Sequence, residues 1–488
     1  MTDISGSGSP QKIYDVLIVG AGPVGLATAI GLRKRGITNI LVIDQASEFR
    51  KVGQVVDLLP NGLKAIKYTD SEAYEKIKET ASKAHQLPVE KKSSSSPNEV
   101  KKEKPAAKKG KWIQKNLQGE ITLSIPTDFE SWFERYGEGR VSLSWFDLQT
   151  TLRNLLPPDI VQANHRCVHV EEEDGWVQVN TISDASTSRN PFAHWEMMPS
   201  NVNPSDSTQA NQESDHQKSL YAKLVIAADG VNSTIRQLLY SKTDLRQWAQ
   251  PQYSGVAAIG CFGINNIPIS MIEELKAKCF QGDPFVTLHN NSIKLDSQDL
   301  EQLRLVLMRR PDNTIGYLLH ASIDLDSWKD KSPSELIELG VKALKNGDFP
   351  SICTKLLRLS NPEKIIHRLY YIHPVTTPVD SQIAWSHGRI VLLGDAAHAM
   401  PPFIAQGANQ GLEDAAFIAT EITKLIQENS LDNKNKIADA FNKYEKVRRP
   451  FMEKVQAATM KSTPWEQKEW EDFNEILHRR EFPSSFAI

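Results

Sequence analysis

The chain has 488 residues, a formal net charge of −3 and four cysteines. That length exceeds what one hydrophobic core fills, so two folding units, or one interrupted domain plus a second, are expected. Near-neutral charge argues against nucleic acid as the main partner, and Cys167, Cys261, Cys279 and Cys353, far apart with no CxxC pair, suggest reduced thiols, with neither a zinc site nor a disulfide framework.

The opening "MTDISGSGSP" has no basic n-region and no apolar h-region. No stretch approaches the ~18 apolar residues of a membrane span, so a soluble, cytoplasmic protein is expected, with peripheral membrane contact left open. Residues 12 to 48 then read as strand, turn, helix and strand, a βαβ unit: "YDVLIV", "GPVGLATAIGLRKRG" and "ITNILVID". A short helix is expected at "LPNGLKAIKYT". Residues 91–111 hold eight lysines and four consecutive serines without an aromatic residue, which marks a disordered insertion. The pattern resumes with "RVSLSWFDLQTTLRNLL", a strand into a helix, and with "CVHVEEEDGWVQVNT", a hairpin. A second polar tract, 184–219, ends where the strand "LYAKLVIAADG" begins. From 251 to 384 the runs "YSGVAAIGCFGI", "PFVTLHNNSIKL", "QLRLVLMRR", "TIGYLLHASI" and "IIHRLYYIHPV" predict a mostly antiparallel β module, with helix near 334–358. Residues 385–428 return to strand, loop and helix, and 429–488 read as a charged helical region.

Three stretches carry chemistry. In "GAGPVG" Gly20 permits a tight turn, Gly22 lets backbone approach a pyrophosphate and Gly25 lets helix pack on strand. Backbone N–H groups and the helix dipole then face phosphates, and Pro23 suits the first helical turn. Asp44 ends the second strand, where an acid can accept ribose hydroxyls. In "LVIAADGVNSTIRQLL" a strand ends in Asp229-Gly230, with Ser233 and Arg236 opening the next helix. In "RIVLLGDAAHAMPP" Gly394 frees the backbone so that Asp395 can reach an alcohol-rich chain. The first loop alone indicates a dinucleotide without choosing among NAD, NADP and FAD.

These three stretches, in this order, resemble the fingerprint of the FAD-dependent class A flavoprotein monooxygenases typified by p-hydroxybenzoate hydroxylase. The resemblance spans most of the chain apart from the two insertions. It implies an α/β fold: a Rossmann-like, discontinuous FAD-binding domain (12–250 and 385–428), an inserted β-rich substrate domain (251–384) and a C-terminal helical region (429–488). It also implies that Asp44 holds the adenosine ribose, that Asp395 holds the ribityl chain and that Asp229-Gly230 serves both FAD and NAD(P)H. "PFIAQGANQG" resembles the family's flavin-side loop, with Ala405 where a glycine is common. The helix opening at Gly407, Ala408 and Asn409 would aim its positive end at the flavin ring, an effect on the order of 0.3 to 2 kcal/mol. The expected cofactor contacts are therefore Gly20, Ala21, Gly22, Pro23, Val24, Gly25, Asp44, Asp229, Gly230, Gly394, Asp395, Gly407, Ala408 and Asn409, with no metal.

The implied activity uses NADPH or NADH as a transient co-substrate and O₂, through a flavin C4a-hydroperoxide, to hydroxylate or epoxidise an aromatic or other hydrophobic small molecule. Alternatives are a flavin-dependent dehydrogenase or reductase without oxygen transfer, and a FAD-bound regulatory or binding protein whose Lys-rich insertion recruits a partner. Trp145 stands where relatives often carry an Arg that touches FAD, and Arg140 or Arg153 could compensate. No fixed nucleophile or triad is visible. His398 reads as a helix-start residue packed below the flavin. His320, Tyr317, Tyr370, Tyr371 and His373 lie on strands of the β module, where period-two spacing sets Tyr371 and His373 on one face and Tyr370 on the other.

Overall fold

The apolar run Ile13–Val19 forms strand β1 and Ile40–Ile43 forms β2, joined by helix α1 (Pro23–Lys34). In the computed structural model, residues 12–48, 55–85, 110–183, 217–241, 243–290, 303–310, 312, 314–376, 384–461 and 463–482 are described. The chain continues through β3 (Val55–Leu58), α2 (Pro60–Thr69), α3 (Ser71–His85), β4 (Lys111–Asn116), β5 (Ile121–Pro126) and α4 (Phe129–Tyr136). Next come β6 (Val141–Ser144), α5 (Trp145–Arg153), β7 (Val161–Gln162), β8 (Arg166–Glu172), β9 (Val177–Ile182), β10 (Gln217–Ala227) and α6 (Thr234–Tyr240). The middle of the chain supplies β11 (Gln252–Ile264), α7 (Ile269–Leu275), β12 (Phe285–His289), β13 (Arg304–Arg309), β14 (Ile315–Ser322), α8 (Leu325–Trp328), α9 (Pro333–Asn346), α10 (Ser351–Arg358) and β15 (Ile366–Ile372). The last part holds β16 (Ser386–His387), β17 (Ile390–Leu392), α11 (Asp395–His398), α12 (Gly407–Gln427), α13 (Lys434–Thr459) and α14 (Gln467–His478).

Two large sheets and a two-stranded one, β3 with β6, divide this list. The first runs β16-β17-β10-β1-β2-β7, with β9 on β10 and β8 on β9. Its centre is parallel, and its strands read as unbroken apolar runs because α1 and α12 cover them. Register matters here: Val19 pairs with both Ile43 and Ala227, and Ala227 pairs with Leu392. Four strands therefore end level, and the residue after each emerges at one edge. That edge, at the carboxyl ends of parallel strands, is where open α/β sheets take ligands.

The second sheet runs β15-β11-β14-β13-β12-β4-β5 and is antiparallel except for β12 on β4. One face packs on α7, α9 and α10 through Leu305, Leu307, Tyr317, Leu319, Leu344 and Leu356. The opposite face, with Val256, Ala258, Leu318 and Tyr370, meets Phe403. The sequence reading placed 110–126 within the first domain's span, yet the β4–β5 hairpin adds to this second sheet. Alternation alone shows that a hairpin exists and not which sheet edge it joins. Of the two polar insertions, only Gly110, Lys111 and residues 217–219 are among the described residues; Lys111 opens β4 and 217–219 open β10. Among the described residues the other expected strands and helices appear where the patterns put them; the end of "PFVTLHNNSIKL" and the first residue of "QLRLVLMRR" lie outside the described residues. No helix among the described residues is long and apolar enough to cross a membrane.

Candidate active site

The edge where the parallel strands end gathers the three motif stretches. Gly20 N–H bonds the Ile43 carbonyl, Ala228 N–H the Val19 carbonyl and Leu393 N–H the Ala227 carbonyl, each at 2.8 or 2.9 Å. Gly20 has φ +107°, and a Cβ there would lie 2.2 Å from the Ala228 oxygen. A Cβ on Gly25 would lie 2.0 Å from the Gly20 oxygen. Both glycines are thus required by the protein's own backbone. Gly22 differs: the nearest atom to a Cβ there is Trp145 Cζ2 at 3.7 Å, ordinary contact distance. The protein's own packing therefore does not require a glycine here.

Asp44 receives the Ala21 N–H on Oδ2 at 2.7 Å and the Ala46 N–H on Oδ1 at 2.8 Å, so it clamps the glycine loop to β2. Each carboxylate oxygen retains capacity for a further donor. Gln149, on α5, donates to the Ala21 carbonyl at 2.7 Å. Arg140 pairs with Asp57 at 2.9 Å, and Arg153 donates to carbonyls after α5, at Leu156, Pro157 and Pro158. Both candidates for replacing an arginine at Trp145 are engaged elsewhere.

Asp229 has one buried oxygen, Oδ1, with no hydrogen-bond partner among the described residues, while Oδ2 accepts the Ile235 N–H at 3.3 Å. Burial pushes the Asp229 and Asp395 carboxyls above the usual range, against the pull of Arg236 on both. Arg236 is wholly buried, and burial lowers it to about 10. Its guanidinium donates to the carbonyls of Ala249, Ala396 and Val231, which ties α6 to α11. Sequence reasoning noted Arg236 as a helix opener but missed this cross-tie, because its acceptors are distant carbonyls.

Asp395 begins α11 directly after Gly394, whose φ of +58° suits glycine. A Cβ on Gly407 would meet Asp395 Oδ1 at 3.7 Å, so the acid and the start of α12 are neighbours. No side chain among the described residues caps α12, whose N-cap is Gln406. Its first N–H groups therefore face the site, with the positive end of a 21-residue helix dipole. Ala405 has φ +53°, in the region a glycine occupies without strain. The side chain of Asn409 is turned away from this end, leaving only its backbone there: its Oδ1 accepts from Leu59 N–H at 2.9 Å and its Nδ2 donates to the carbonyls of Asp57 and Ala405. A Cβ on Gly62 would strike Asn409 Oδ1 at 2.0 Å, which explains a glycine inside α2.

Behind α11 lies a buried ion network. Asp414 accepts the Gly394 N–H at 3.0 Å, His398 Nε2 at 2.6 Å and Arg448 Nε at 2.7 Å. Glu413 pairs with Arg448 at 2.5 Å and Arg480 at 2.5 Å, and Asn61 donates to it at 2.8 Å. Burial raises Asp414, but His398 and Arg448 outweigh it and hold the carboxyl at about 2. His398 is a buried support for the Gly394 turn.

Of the strand aromatics, His320 and Tyr370 come together (Nε2 to OH, 3.2 Å), and both rings lie 5.4 Å from Phe403. Tyr317 faces the opposite side and bonds Ser360 at 3.0 Å. Tyr371 packs on Tyr253, and His373 is buried against the Ala397 and Trp248 carbonyls. Arg304, which the sequence did not single out, lies with its Cζ 3.8 Å from the Phe403 centroid.

Features that suit a flavin dinucleotide are thus present among the described residues: Gly22, which the protein's own packing does not require, an unpartnered Asp229 oxygen and an uncapped helix start beside Asp395. A family model described as a FAD binding domain matches residues 13–54 and 350–459. The 6-hydroxynicotinate 3-monooxygenase of Bordetella bronchiseptica is 23% identical over 448 residues, 92% of this chain and 91% of that protein. The 3-amino-4-hydroxybenzoate 2-monooxygenase PtmB3 of Streptomyces platensis is 23% identical over 90% of this chain and 85% of its own length. Klebsiella pneumoniae HpxO, solved with FAD and uric acid, shares the fold with a TM-score of 0.58 at 17% identity, covering 97% of this chain and 95% of its own.

Proposed function

The chain belongs to the FAD-dependent class A flavoprotein monooxygenases, and from that premise we propose that it uses NAD(P)H and O₂ to place one oxygen atom on an aromatic or other hydrophobic small molecule. The observation that carries the reading is the level ending of β1, β2, β10 and β17, which brings Gly22, Asp44, Asp229 and Asp395 to one edge. Gly20 to Gly25 and Asp44 would hold the adenosine and pyrophosphate end. Gly394, Asp395, Asp229, Gly230 and the α12 start at Gly407, Ala408 and Asn409 would hold the ribityl and ring end. Bound there, FAD supplies electron transfer from the nicotinamide and activation of oxygen.

The protein's own contribution is position and field. The α12 dipole favours negative charge placed against its first turn. Asp414 fixes the Gly394 turn through its N–H, and Arg236 fixes α11 through the Ala396 carbonyl. The second sheet presents Val256, Ala258, Leu318 and Tyr370 toward the 399–406 loop, an apolar wall that excludes water from a substrate held between them.

Purified yellow holoprotein should consume NAD(P)H faster when an aromatic substrate from a panel is added, with matching formation of a hydroxylated product. Oxidation that no substrate stimulates, with no product, would refute the reading.

A further inference from the structure

The four cysteines are far apart in sequence, yet the fold brings two of them together. Cys279 lies in a single π turn, Lys276–Phe280, that follows α7 directly, and Cys353 lies in the first turn of α10. Their Sγ atoms are 3.9 Å apart although the residues are 74 positions apart in the chain. Both side chains are fully buried in the helical layer over the second sheet, where α7 packs on α10. A disulfide holds its sulfurs at about 2 Å, so these two have roughly 2 Å to travel. The other thiols are engaged separately: Cys167 points at the His169 carbonyl, 3.9 Å away, and Cys261 hydrogen-bonds Ser360.

The two neighbouring sulfurs are not equivalent. The Cys353 S–H, donated to Cys279, holds the Cys279 thiol below its ordinary range against burial, with Lys278 and Lys115 adding to the effect. That same bond and burial drive Cys353 up, and burial raises Cys167 and Cys261 as well. Lys115 is itself buried beside this turn, 3.0 Å from Asp283 and donating to the Phe280 carbonyl at 2.8 Å. The thiolate is the nucleophile in thiol oxidation, so Cys279 reacts first and Cys353 resolves. The π turn is the way in. It closes on Gln281 at φ +49°, followed by Gly282 at φ +95°. Ala277, Lys278, Gln281 and Gly282 around Cys279 are exposed, so opening this one turn reaches the sulfur without unfolding the sheet.

We propose that Cys279 and Cys353 are a modification site, a dithiol that hydrogen peroxide oxidises to a disulfide stapling the turn after α7 to α10. The Cys279 thiolate attacks one peroxide oxygen, the O–O bond breaks, and the leaving hydroxide takes up the proton that Cys279 gave. The Cys353 sulfur then attacks the sulfenic sulfur of Cys279, the S–O bond breaks, and water leaves with the Cys353 proton. Two electrons and two protons pass from the thiols to the peroxide, which becomes two waters. The staple closes the segment that carries β12, β13, β14, α8 and α9, most of the second sheet's centre. The site does not depend on the monooxygenase reading.

The test is oxidation of the holoenzyme with hydrogen peroxide, followed by thiol counting after denaturation and by peptide mapping without reductant. Four free thiols should fall to two, the mapped disulfide should join Cys279 to Cys353, and dithiothreitol should restore all four. The oxidised protein should unfold at a thermal midpoint higher by about 2 °C or more, because the disulfide closes a long loop in the unfolded chain. Cys353→Ser should stop at a sulfenic acid on Cys279 that dimedone traps. Cys279→Ser should slow the loss of the Cys353 thiol about tenfold or more. Should serine not fold at either position, alanine gives the same comparison. No thiol lost, a disulfide that includes Cys167 or Cys261, sulfinic acid on Cys279 with no disulfide, or a midpoint that does not rise overturns the proposal. So does a Cys279→Ser protein that loses the Cys353 thiol at the wild-type rate, since Cys353 would then react without Cys279.

Discussion

Replacing Asp414 by Asn removes the one carboxylate that holds the Gly394 turn, His398 and Arg448 together. The amide oxygen can still accept the Gly394 N–H on the Oδ2 side, shared with His398 Nε2, but its NH₂ must then point at the Arg448 Nε–H, a donor. Breaking a buried ion pair costs about 3 to 5 kcal/mol. Glu413 remains 2.5 Å from Arg448, which sets the expectation at the lower end, about 3 kcal/mol. If about half of that falls on the turn that presents Asp395, FAD affinity drops roughly tenfold, since 1.4 kcal/mol is a factor of ten. The assay is FAD titration of apoprotein by fluorescence, with urea unfolding alongside, for D414N, Arg448→Met and the double variant. A double variant less damaged than the sum of the singles is expected, because the pair is coupled. D414N with unchanged FAD affinity and less than about 1 kcal/mol lost, or strictly additive variants, would refute the reasoning.

Other consequences follow from the same geometry. Gly20→Ala should abolish soluble protein, because its Cβ would lie 2.2 Å from the Ala228 oxygen at a φ of +107°. Gly22→Ala should fold and lose about tenfold in FAD affinity, since its Cβ has room in the protein but faces the ligand; equal yields and equal FAD affinity for both variants would contradict this. Ala405→Gly should stabilise by up to about 1 kcal/mol by relieving a left-handed alanine, visible as a raised thermal midpoint. Stability should fall as pH drops from about 6.5 toward 4. Burial depresses His289 to about 4 and His373 to about 3, so across that window the unfolded chain binds protons that the folded chain does not. A urea midpoint flat between pH 7 and 4.5 would contradict it.

Much of the first domain was legible because local and global signals agree there. The spacing of Gly20, Gly22 and Gly25, the acid at Asp44 and the apolar runs of β1, β2, β10 and β17 all report buried parallel strands ending in turns. What sequence missed depends on contacts between distant segments. Nothing local in "LPNGLKAIKYT" says that Gly62 makes room for Asn409, or that Asn61 reaches Glu413. The charged C-terminal helices read as solvated, yet Arg448 and Arg480 are drawn inward by Glu413 and Asp414. Arg304 was passed over for a related reason. Alternation in "QLRLVLMRR" assigns it to the face opposite Leu305 and Leu307, and such a face is usually solvent. Here the 399–406 loop covers it.

The central claim is that oxygen from O₂ reaches an organic substrate. Holoprotein supplied with NAD(P)H, ¹⁸O₂ and whichever aromatic compound most stimulates NAD(P)H oxidation should yield a product heavier by one ¹⁸O atom, in proportion to the nicotinamide consumed. Product without label, or hydrogen peroxide equal to the NAD(P)H consumed with every compound, would contradict the account and favour a flavin reductase.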